Sequence, residues 1–278
     1  LPGGTLGANL GGTLTVQAVN GVATFSGLSV DKVGTGYTRH ATDASLTPSD
    51  SNAFAIVAGA AANIGFTTQP ATNANIAAGS PITLVAHVTD SAGNAVAGES
   101  VTLAINSGFN GSALSATTTT DAAGDATFAG VTSLNKVGTG TLRATDGALM
   151  ATSNSFNIVA ASPDHLAFTP VPDDILQGQT LGSVTVTEYD AFDNQAISDN
   201  TTQVSLVAGS CGGTVLGTQA LSGGVVTFNT AQTFMTVASG VSLSAAAGAS
   251  PPTAVAGTFD VTANADILFA NGFDDCRP

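Results

Sequence analysis

The sequence predicts an all-β fold in which antiparallel β-sandwiches follow one another along the chain. Three observations indicate this fold class. The chain has 33 Gly and only 9% charged residues among 278, and it is rich in Thr, Ser and Val, a composition that suits pleated strands and tight turns. Short stretches alternate apolar and polar residues with period two. The same stretches also recur along the chain at a fixed spacing.

The alternation is clearest in residues 82–90. Leu84, Ala86 and Val88 point to one face, while His87 and its polar neighbours point to the other. Further stretches of strand length, bounded by Gly, Asn, Asp or Ser, are SVTLAINSG, DATFAGV, GTLRATD and SNSFNIV. About seven such strands in about 100 residues are typical of a two-sheet sandwich of the immunoglobulin type.

Two long segments, which begin at Gly21 and Gly124, repeat each other motif by motif. Phe25 matches Phe128, and both segments contain the motif KVGTG. A third, weaker copy follows around Phe228. Self-similarity of this kind is the sequence signature of a tandem array, so each copy is expected to be one structural unit.

The repeats divide the chain into four predicted parts. The first copy begins at a position that matches the middle of the second, so its early strands are missing. The predicted parts are a partial immunoglobulin-like domain with only the last strands (1–58), two complete immunoglobulin-like domains (59–161 and 162–262) and a C-terminal tail strand (263–278).

The stretches NGVATFSGLSVDKVGTGYT, SNAFAIVAGAAANIGFTTQP and VTDSAGNAVAG resemble the tandem bacterial immunoglobulin-like (Big) domains of large surface proteins. The resemblance covers nearly the whole chain up to about residue 262 and is strongest in the first two copies. It implies the sandwich fold and a role as stalk, adhesin or spacer, without a specific activity. The third copy departs from the pattern, because Ala238, Ser239 and Gly240 stand where the KVGTG turn is expected.

The partial first domain is expected to have an open core. Its predicted strands are GTLTVQA, GVATFSG, GYTRHAT and NAFAIV. Either residues that precede the given sequence complete the sandwich, or another chain does so by β-augmentation. The second alternative makes the protein a subunit of a head-to-tail polymer. The inward residues, which are then subunit-interface residues, are predicted to be Val22, Phe25, Leu28, Phe54 and Ile56.

The C-terminal tail belongs to no repeat, and its apolar residues Ile267, Phe269 and Phe273 are predicted as further interface residues. Its form resembles the short IFxxGF tails of secreted proteobacterial proteins. In the alternative interpretation the tail packs on its own domain, tied by a disulfide between Cys211 and Cys276. Such a bond suits an oxidising compartment, and two free thiols are the other possibility.

Charge and motifs exclude several function classes. Lys and Arg number 5 against 19 Asp and Glu, a net charge of -14, which argues against nucleic acid and anionic membranes as partners. The apolar stretch 54–66 is too short to span a bilayer. The sequence contains no P-loop, HExxH, GxSxG or Rossmann motif, and His40, His87 and His165 belong to different strands. We therefore predict no enzyme and no cofactor.

One acidic pattern has two interpretations. Asp90 and Asn94 recur as Asp190 and Asn194, with Asp193 in the same turn. Calcium needs six to eight oxygen ligands, of which these residues offer about three. Hydrogen bonds from the turn backbone to the side chains explain the pattern equally well. No metal site is predicted on this basis.

The function expected from these features is structural. The chain is predicted to be a segment or subunit of an extracellular bacterial stalk or filament at the cell surface. It self-associates head to tail, or continues a longer chain. The alternatives are a surface adhesin that binds a glycan or host ligand through its sandwich loops, and a non-catalytic spacer of a secreted enzyme.

Overall fold

The computed structural model of the protein describes residues 3–169, 174–208, 214–233, 238–247 and 253–262. These residues form strands, turns and irregular segments, and none of them is helical. The described part of the chain accordingly has no helix of the length and hydropathy that crossing a membrane requires. The predicted all-β fold class is confirmed.

Six short strands make up the N-terminal segment, which we define as residues 3–58. They pair in three separate two-stranded ribbons, β1 with β2, β3 with β6 and β4 with β5. Their bounds are β1 (Leu10–Gly11), β2 (Ser29–Val30), β3 (Gly34–Tyr37), β4 (His40–Ala41), β5 (Ser49–Asp50) and β6 (Phe54–Ile56).

The middle sandwich consists of two sheets formed by the next nine strands. One sheet has the order β12-β9-β7, and the other has the order β11-β10-β13-β15-β8, with β14 also paired to β13. Only β8 and β15 pair in parallel. The bounds are β7 (Asn63–Thr68), β8 (Asn75–Ala77), β9 (Ile82–Thr89), β10 (Ser100–Ser107), β11 (Ser115–Thr119), β12 (Asp125–Val131), β13 (Gly138–Asp146), β14 (Leu149–Thr152) and β15 (Phe156–Val159).

The core of the middle sandwich lies between these sheets, as the alternation predicts. Leu84, Ala86 and Val88 on β9 are fully buried. Phe128 on β12 lies opposite Leu84 in the strand register and is 5% exposed. Because successive side chains of a strand point to opposite faces, one row of β9 fills the core while the other faces solvent.

The C-terminal sandwich repeats this topology. Its sheets have the orders β16-β18-β21 and β17-β23-β22-β19-β20, and β17 pairs in parallel with β23. A second cluster of buried residues, among them Val186, Leu206 and Phe228, forms its core. The bounds are β16 (Pro163–Thr169), β17 (Ile175–Leu176), β18 (Thr180–Asp190), β19 (Gln203–Ala208), β20 (Thr214–Ala220), β21 (Val225–Thr233), β22 (Ala238–Ala247) and β23 (Thr253–Thr262).

Short linkers separate the three parts. β6 ends at Ile56 and β7 begins at Asn63, while β15 ends at Val159 and β16 begins at Pro163. The apolar stretch 54–66 is therefore the last strand of one unit followed by the first strand of the next.

Two strands predicted in the N-terminal segment are absent from the described structure. Residues 12–18 form no strand, and in residues 21–27 only Val22 is paired, in an isolated bridge with Val19. In the middle sandwich the matching strands β11 and β12 pair with β10 and β9. No described strand of the N-terminal segment takes the place of β9 or β10. Residues 12–18 and 21–27 therefore have the alternating pattern of strands but no partner strand with which to form hydrogen bonds.

The apolar residues of this segment are only partly covered. Val22 is 63% exposed and Phe25 is 42% exposed, whereas Leu28, Phe54 and Ile56 are half-buried. The Phe54 ring stacks on Tyr37, with ring centroids 5.9 Å apart.

Tyr37 forms a small packed cluster within the N-terminal segment. Its ring is fully buried, and its hydroxyl donates a hydrogen bond to the Lys32 carbonyl at 2.9 Å. This return to the backbone a few residues upstream is the contact expected of a tyrosine corner.

The burial difference predicts unequal effects of the same truncation at matching positions. Phe128→Ala is expected to lower the free energy of unfolding of the middle sandwich by roughly 3–5 kcal/mol, because it leaves a cavity in a packed core. Phe25→Ala in the same chain is expected to change stability by about 1 kcal/mol or less. Urea unfolding followed by circular dichroism measures both. Equal losses contradict the open core of the N-terminal segment.

Candidate functional site

Each complete sandwich has the same tight turn at the end that faces the preceding unit. We call residues 90–94 and 190–194 the junction turns. Asp90 N–H donates to the Asn94 carbonyl at 2.9 Å, and Asp190 and Asn194 make the same bond at 2.9 Å. The fourth residue has a positive φ in both turns, 83° at Gly93 and 58° at Asp193. The two turns therefore share one backbone conformation.

A single carboxylate ties the first junction turn to the linker before it. Oδ1 of Asp90 accepts hydrogen bonds from the backbone N–H groups of Ala92 and Asn94, both at 2.9 Å. Oδ2 of Asp90 accepts from the N–H of Gly59 in the linker at 2.9 Å. Asp90 is only 5% exposed, so these bonds replace the water that a carboxylate otherwise binds.

The side chain of Asn94 crosses the junction. Its Nδ2 donates to the Asp31 carbonyl at 3.0 Å, and its Oδ1 accepts from the Val33 N–H at 3.1 Å. Nδ2 also donates to both oxygens of Asp90. Because a carboxylate accepts only, it orients the amide group so that the Asn94 oxygen faces Val33. The amide thus binds the preceding unit as a strand backbone does, with one donor and one acceptor.

The second junction repeats these contacts. Oδ2 of Asp190 accepts from the N–H of Ala161 in the linker at 2.8 Å. Asn194 Nδ2 donates to the Asn135 carbonyl at 2.7 Å, and Val137 N–H donates to Asn194 Oδ1 at 3.0 Å. In both junctions, therefore, the KVGTG turn of one unit receives the Asn of the next unit.

The second junction has contacts that the first does not share. Lys136 Nζ donates to the Phe192 carbonyl, and the Phe192 ring packs against the core of the middle sandwich. A Cβ atom added at Gly79 would lie 2.4 Å from this ring, so only glycine allows the approach. Ala92 stands at the matching place in the first junction turn. The second junction accordingly contains a half-buried aromatic ring as well as the hydrogen-bonded pair.

Hydrogen bonding keeps both carboxylates ionised. The Asn94 amide, followed by the Gly59 N–H, lowers the pKa of Asp90 to about 2. Burial alone raises the pKa of Asp190, but the hydrogen bonds from Asn194 and from the Ala161 N–H outweigh it and lower the pKa. Hydrogen bonds to the charged form stabilise that form. The bonds from the turn backbone to the Asp side chain, one of the two interpretations of the repeated pattern, are present in both turns.

Among the described residues, no group of three or more His, Cys, Asp or Glu side chains is arranged to hold a metal ion. The histidines lie on three different strands, as predicted, and each contacts a nearby aspartate. The Nδ1···Oδ distances are 2.6 Å for His40 and Asp50, 2.8 Å for His87 and Asp125, and 3.2 Å for His165 and Asp164.

Some of the predicted interface residues lie within the described structure, and others lie outside it. Val22 and Phe25 lie in the uncovered part of the N-terminal segment. The cysteines of the predicted disulfide and the apolar tail residues fall outside the described residues; these are Cys211, Cys276, Ile267, Phe269 and Phe273. Both predictions therefore stay untested.

Each half of the junction is visible in the sequence, but as a separate motif. KVGTG predicts a turn between strands, and the Asp and Asn side chains are explained by hydrogen bonds within their own turn. The signal that links them is their spacing, because the separation from the KVGTG lysine to the junction asparagine is similar in both copies, 62 positions from Lys32 to Asn94 and 58 from Lys136 to Asn194. The linker residues Gly59 and Ala161 act through their backbone N–H groups, which have no side-chain signature.

The fold and the junctions define the class of the protein as a tandem array of immunoglobulin-like β-sandwiches. No protein-family model and no curated protein matches the sequence. Among solved structures, the D0-D1 domain of intimin is 18% identical, covers 73% of this chain and 96% of its own, and has a TM-score of 0.28. The bacterial integrin-binding protein invasin is 15% identical, with a TM-score of 0.30, and the match covers 73% of this chain.

The chain matches only 39% of the invasin chain. A further similar structure is the α2-macroglobulin from Escherichia coli, at 13% identity and a TM-score of 0.28, over 71% of this chain and 15% of that one. At these TM-scores and identities, the likenesses carry no argument about what the chain binds.

The cross-junction bonds predict that one side chain limits the relative motion of two units. Asn194→Ala removes two hydrogen bonds between the middle and C-terminal sandwiches, which together contribute about 1–3 kcal/mol. We expect a broader distribution of distances between spin labels at the exposed positions Met150 and Ile197, measured in a chain with Cys211 and Cys276 replaced by Ser. Asn106→Ala, which changes an exposed strand residue of the middle sandwich, is the control. An unchanged distribution in the Asn194 variant contradicts the role of the amide.

The depressed pKa of Asp90 predicts how the first junction responds to acid. A carboxyl group whose folded pKa lies below its unfolded value stabilises the structure above the unfolded pKa, and this contribution is lost as the pH falls through the folded value. The Asp90 carboxyl carbon is therefore expected to titrate near pH 2 by nuclear magnetic resonance. Asn94→Ala should move the titration towards the ordinary value of about 3.9. A wild-type midpoint near 3.9 refutes the hydrogen-bond arrangement.

Proposed function

We propose that the chain is a structural segment or subunit of an extracellular bacterial stalk or filament. In this proposal the immunoglobulin-like sandwiches are rigid spacers joined end to end. The incomplete N-terminal segment receives a β-strand from another copy of the chain, and the assembly lies at the cell surface.

The repeated junction is the observation that supports a role as a stalk. A tandem array of domains stays extended only if each linker region restricts the angle between neighbouring domains. Here the linker N–H, the junction turn and the preceding KVGTG turn are all bonded to one Asp and Asn pair, and the pair occurs twice. A binding function through loops does not require such a repeated link. The net charge of -14 keeps an array of this kind soluble.

The open core of the N-terminal segment supports completion by a donated strand. Phe25 is 42% exposed, whereas its counterpart Phe128 is 5% exposed. The difference arises from β9, which pairs with β12 and places Leu84 opposite Phe128. A donor strand therefore needs an aliphatic or aromatic residue at every second position. The tail residues Ile267, Phe269 and Phe273 provide three such apolar side chains within one short stretch.

Strand donation has a favourable backbone component as well. Residues 12–18 and 21–27 alternate like strands but have no ladder in the described structure. An added strand forms main-chain hydrogen bonds with such a segment, and pockets for its alternate side chains give specificity. Because the donor and the acceptor lie at opposite ends of the chain, the contact is heterologous and builds a filament.

The assembly is tested by deleting the tail. The purified chain is expected to form filaments in negatively stained electron micrographs, and the chain lacking residues 264–278 is expected to remain monomeric by light scattering. Urea unfolding of the middle sandwich should be the same in both chains, which shows that the deletion spares the fold. Filaments that persist after the deletion reject the tail as donor.

A matched pair of substitutions tests the acceptor. Phe25→Asp places a charge in the proposed strand-binding face and is expected to abolish filaments. Met150→Asp makes the same kind of change at a residue of the middle sandwich that is 64% exposed and is expected to leave filaments unchanged. Equal effects of the two variants contradict the proposed face.

A further inference from the structure

A carboxyl group takes the place of a core aliphatic residue in the C-terminal sandwich. Glu188 on β18 is only 1% exposed. Its N–H donates to the Gly224 carbonyl at 2.8 Å, and its carbonyl accepts from the Ala196 N–H at 2.9 Å. Val88 on β9 makes the matching backbone contacts in the middle sandwich and is fully buried. The two sandwiches thus differ by one ionisable group at the same core position.

The Glu188 carboxyl group lacks the partners that a buried charge requires. Its Oε2 is buried without a hydrogen-bond partner, and the carboxyl group lies beside that of Asp199. Asp199 is already held as a carboxylate. Its Oδ1 accepts from the N–H groups of Thr201 and Thr202, at 2.9 and 3.0 Å, and its Oδ2 accepts from the Thr202 hydroxyl at 2.6 Å. Because Glu188 is buried and lies beside a carboxylate, its own ionisation is disfavoured by both burial and like charge.

Among the described residues of β16, β18 and β21, the one basic side chain is His165 on β16, and it contacts Asp164 and Asp193. The strand partner of Glu188 on β16 is Leu166, and β21 carries no charged residue. Of the described charges, Asp199 is the one that acts on Glu188. The remaining ionisable side chains of the neighbouring elements have other partners: Asp164 and Asp193 contact His165, and Asp190 accepts from Asn194 and from the Ala161 N–H.

We propose that Glu188 and Asp199 share one proton and form a pH-sensitive switch beside the second junction. With the proton bound, Glu188 donates a hydrogen bond to the Asp199 carboxylate. When the proton leaves to solvent, two negative charges face each other. Their repulsion acts on residues 188–199, which are joined by the bond from Ala196 N–H to the Glu188 carbonyl. The junction turn at 190–194 lies within this stretch, so the link to the middle sandwich loosens.

Burial, together with the charge of Asp199, raises the pKa of Glu188 to about 7. Burial also acts on Asp199, but the hydrogen bonds from Thr202 and Thr201 outweigh it and lower its pKa to about 2. An acid whose folded pKa is raised keeps a proton that the unfolded chain has already lost. Stability therefore falls as the pH rises from about 4.5 to about 7 and levels off above that range. The carboxylates of the junction turns have the opposite dependence, at lower pH.

The test compares the stability of the C-terminal sandwich at several pH values in the full chain. The chain has 2 tyrosines, Tyr37 and Tyr189, and Tyr189 lies in the C-terminal sandwich. In a Tyr37→Phe background, the tyrosine fluorescence therefore reports on the urea unfolding of this sandwich. The folding equilibrium constant of the parent chain is expected to fall roughly 50- to 100-fold between pH 5 and pH 8. Glu188→Gln removes the charge and should abolish that fall.

Glu188→Val installs the residue found at the matching position of the middle sandwich. It should be independent of pH over the same range and more stable than the parent at pH 8. Glu99→Gln, which changes an acid of the middle sandwich, should keep the full dependence. The proposal is overturned if the Glu188→Val chain loses stability with pH as the parent does, or if the Glu188 carboxyl carbon titrates near its ordinary value of about 4.3.

Discussion

A buried carboxylate at the base of each junction turn is the interaction on which the arrangement of units depends. Asp90 and Asp190 each accept hydrogen bonds from their own turn, from the preceding linker and from an asparagine amide. These bonds orient the amide so that it presents one donor and one acceptor to the neighbouring unit. Removal of the carboxylate would leave the linker N–H, the turn and the amide without their common partner, so local turn chemistry and interdomain geometry are set together.

A second constraint is that a strand requires a partner. The middle and C-terminal sandwiches satisfy it within themselves, because β9 and β18 lie at the centre of their three-stranded sheets. The N-terminal segment has comparable alternation but forms only three short ribbons in its described part. Its apolar residues consequently stay partly exposed. This contrast between homologous sequences shows that pairing, and not propensity alone, decides where strands form.

Much of the fold was predictable from particular residues. The alternation in 82–90 placed Leu84, Ala86 and Val88 in the core. The same reasoning was wrong for residues 12–18 and 21–27. It predicted two strands there, but no described strand pairs with these residues. For the junction, the sequence showed the two repeated motifs but not the contact between them. Glu188 was missed, although its alignment with Val88 marked a carboxyl group at a core position.

The sequence by itself determined the alternation of apolar and polar residues along each strand and the turn residues between strands, because these depend on neighbours along the chain. The tertiary structure decided which turn meets which backbone, which apolar residues remain open to solvent and which carboxyl group lies beside another. Those outcomes depend on groups brought together from distant parts of the chain, such as Asn194 with Val137 and Glu188 with Asp199. Burial and hydrogen bonding at such contacts set the charge and exposure of each group, and spacing along the chain carries no direct record of either.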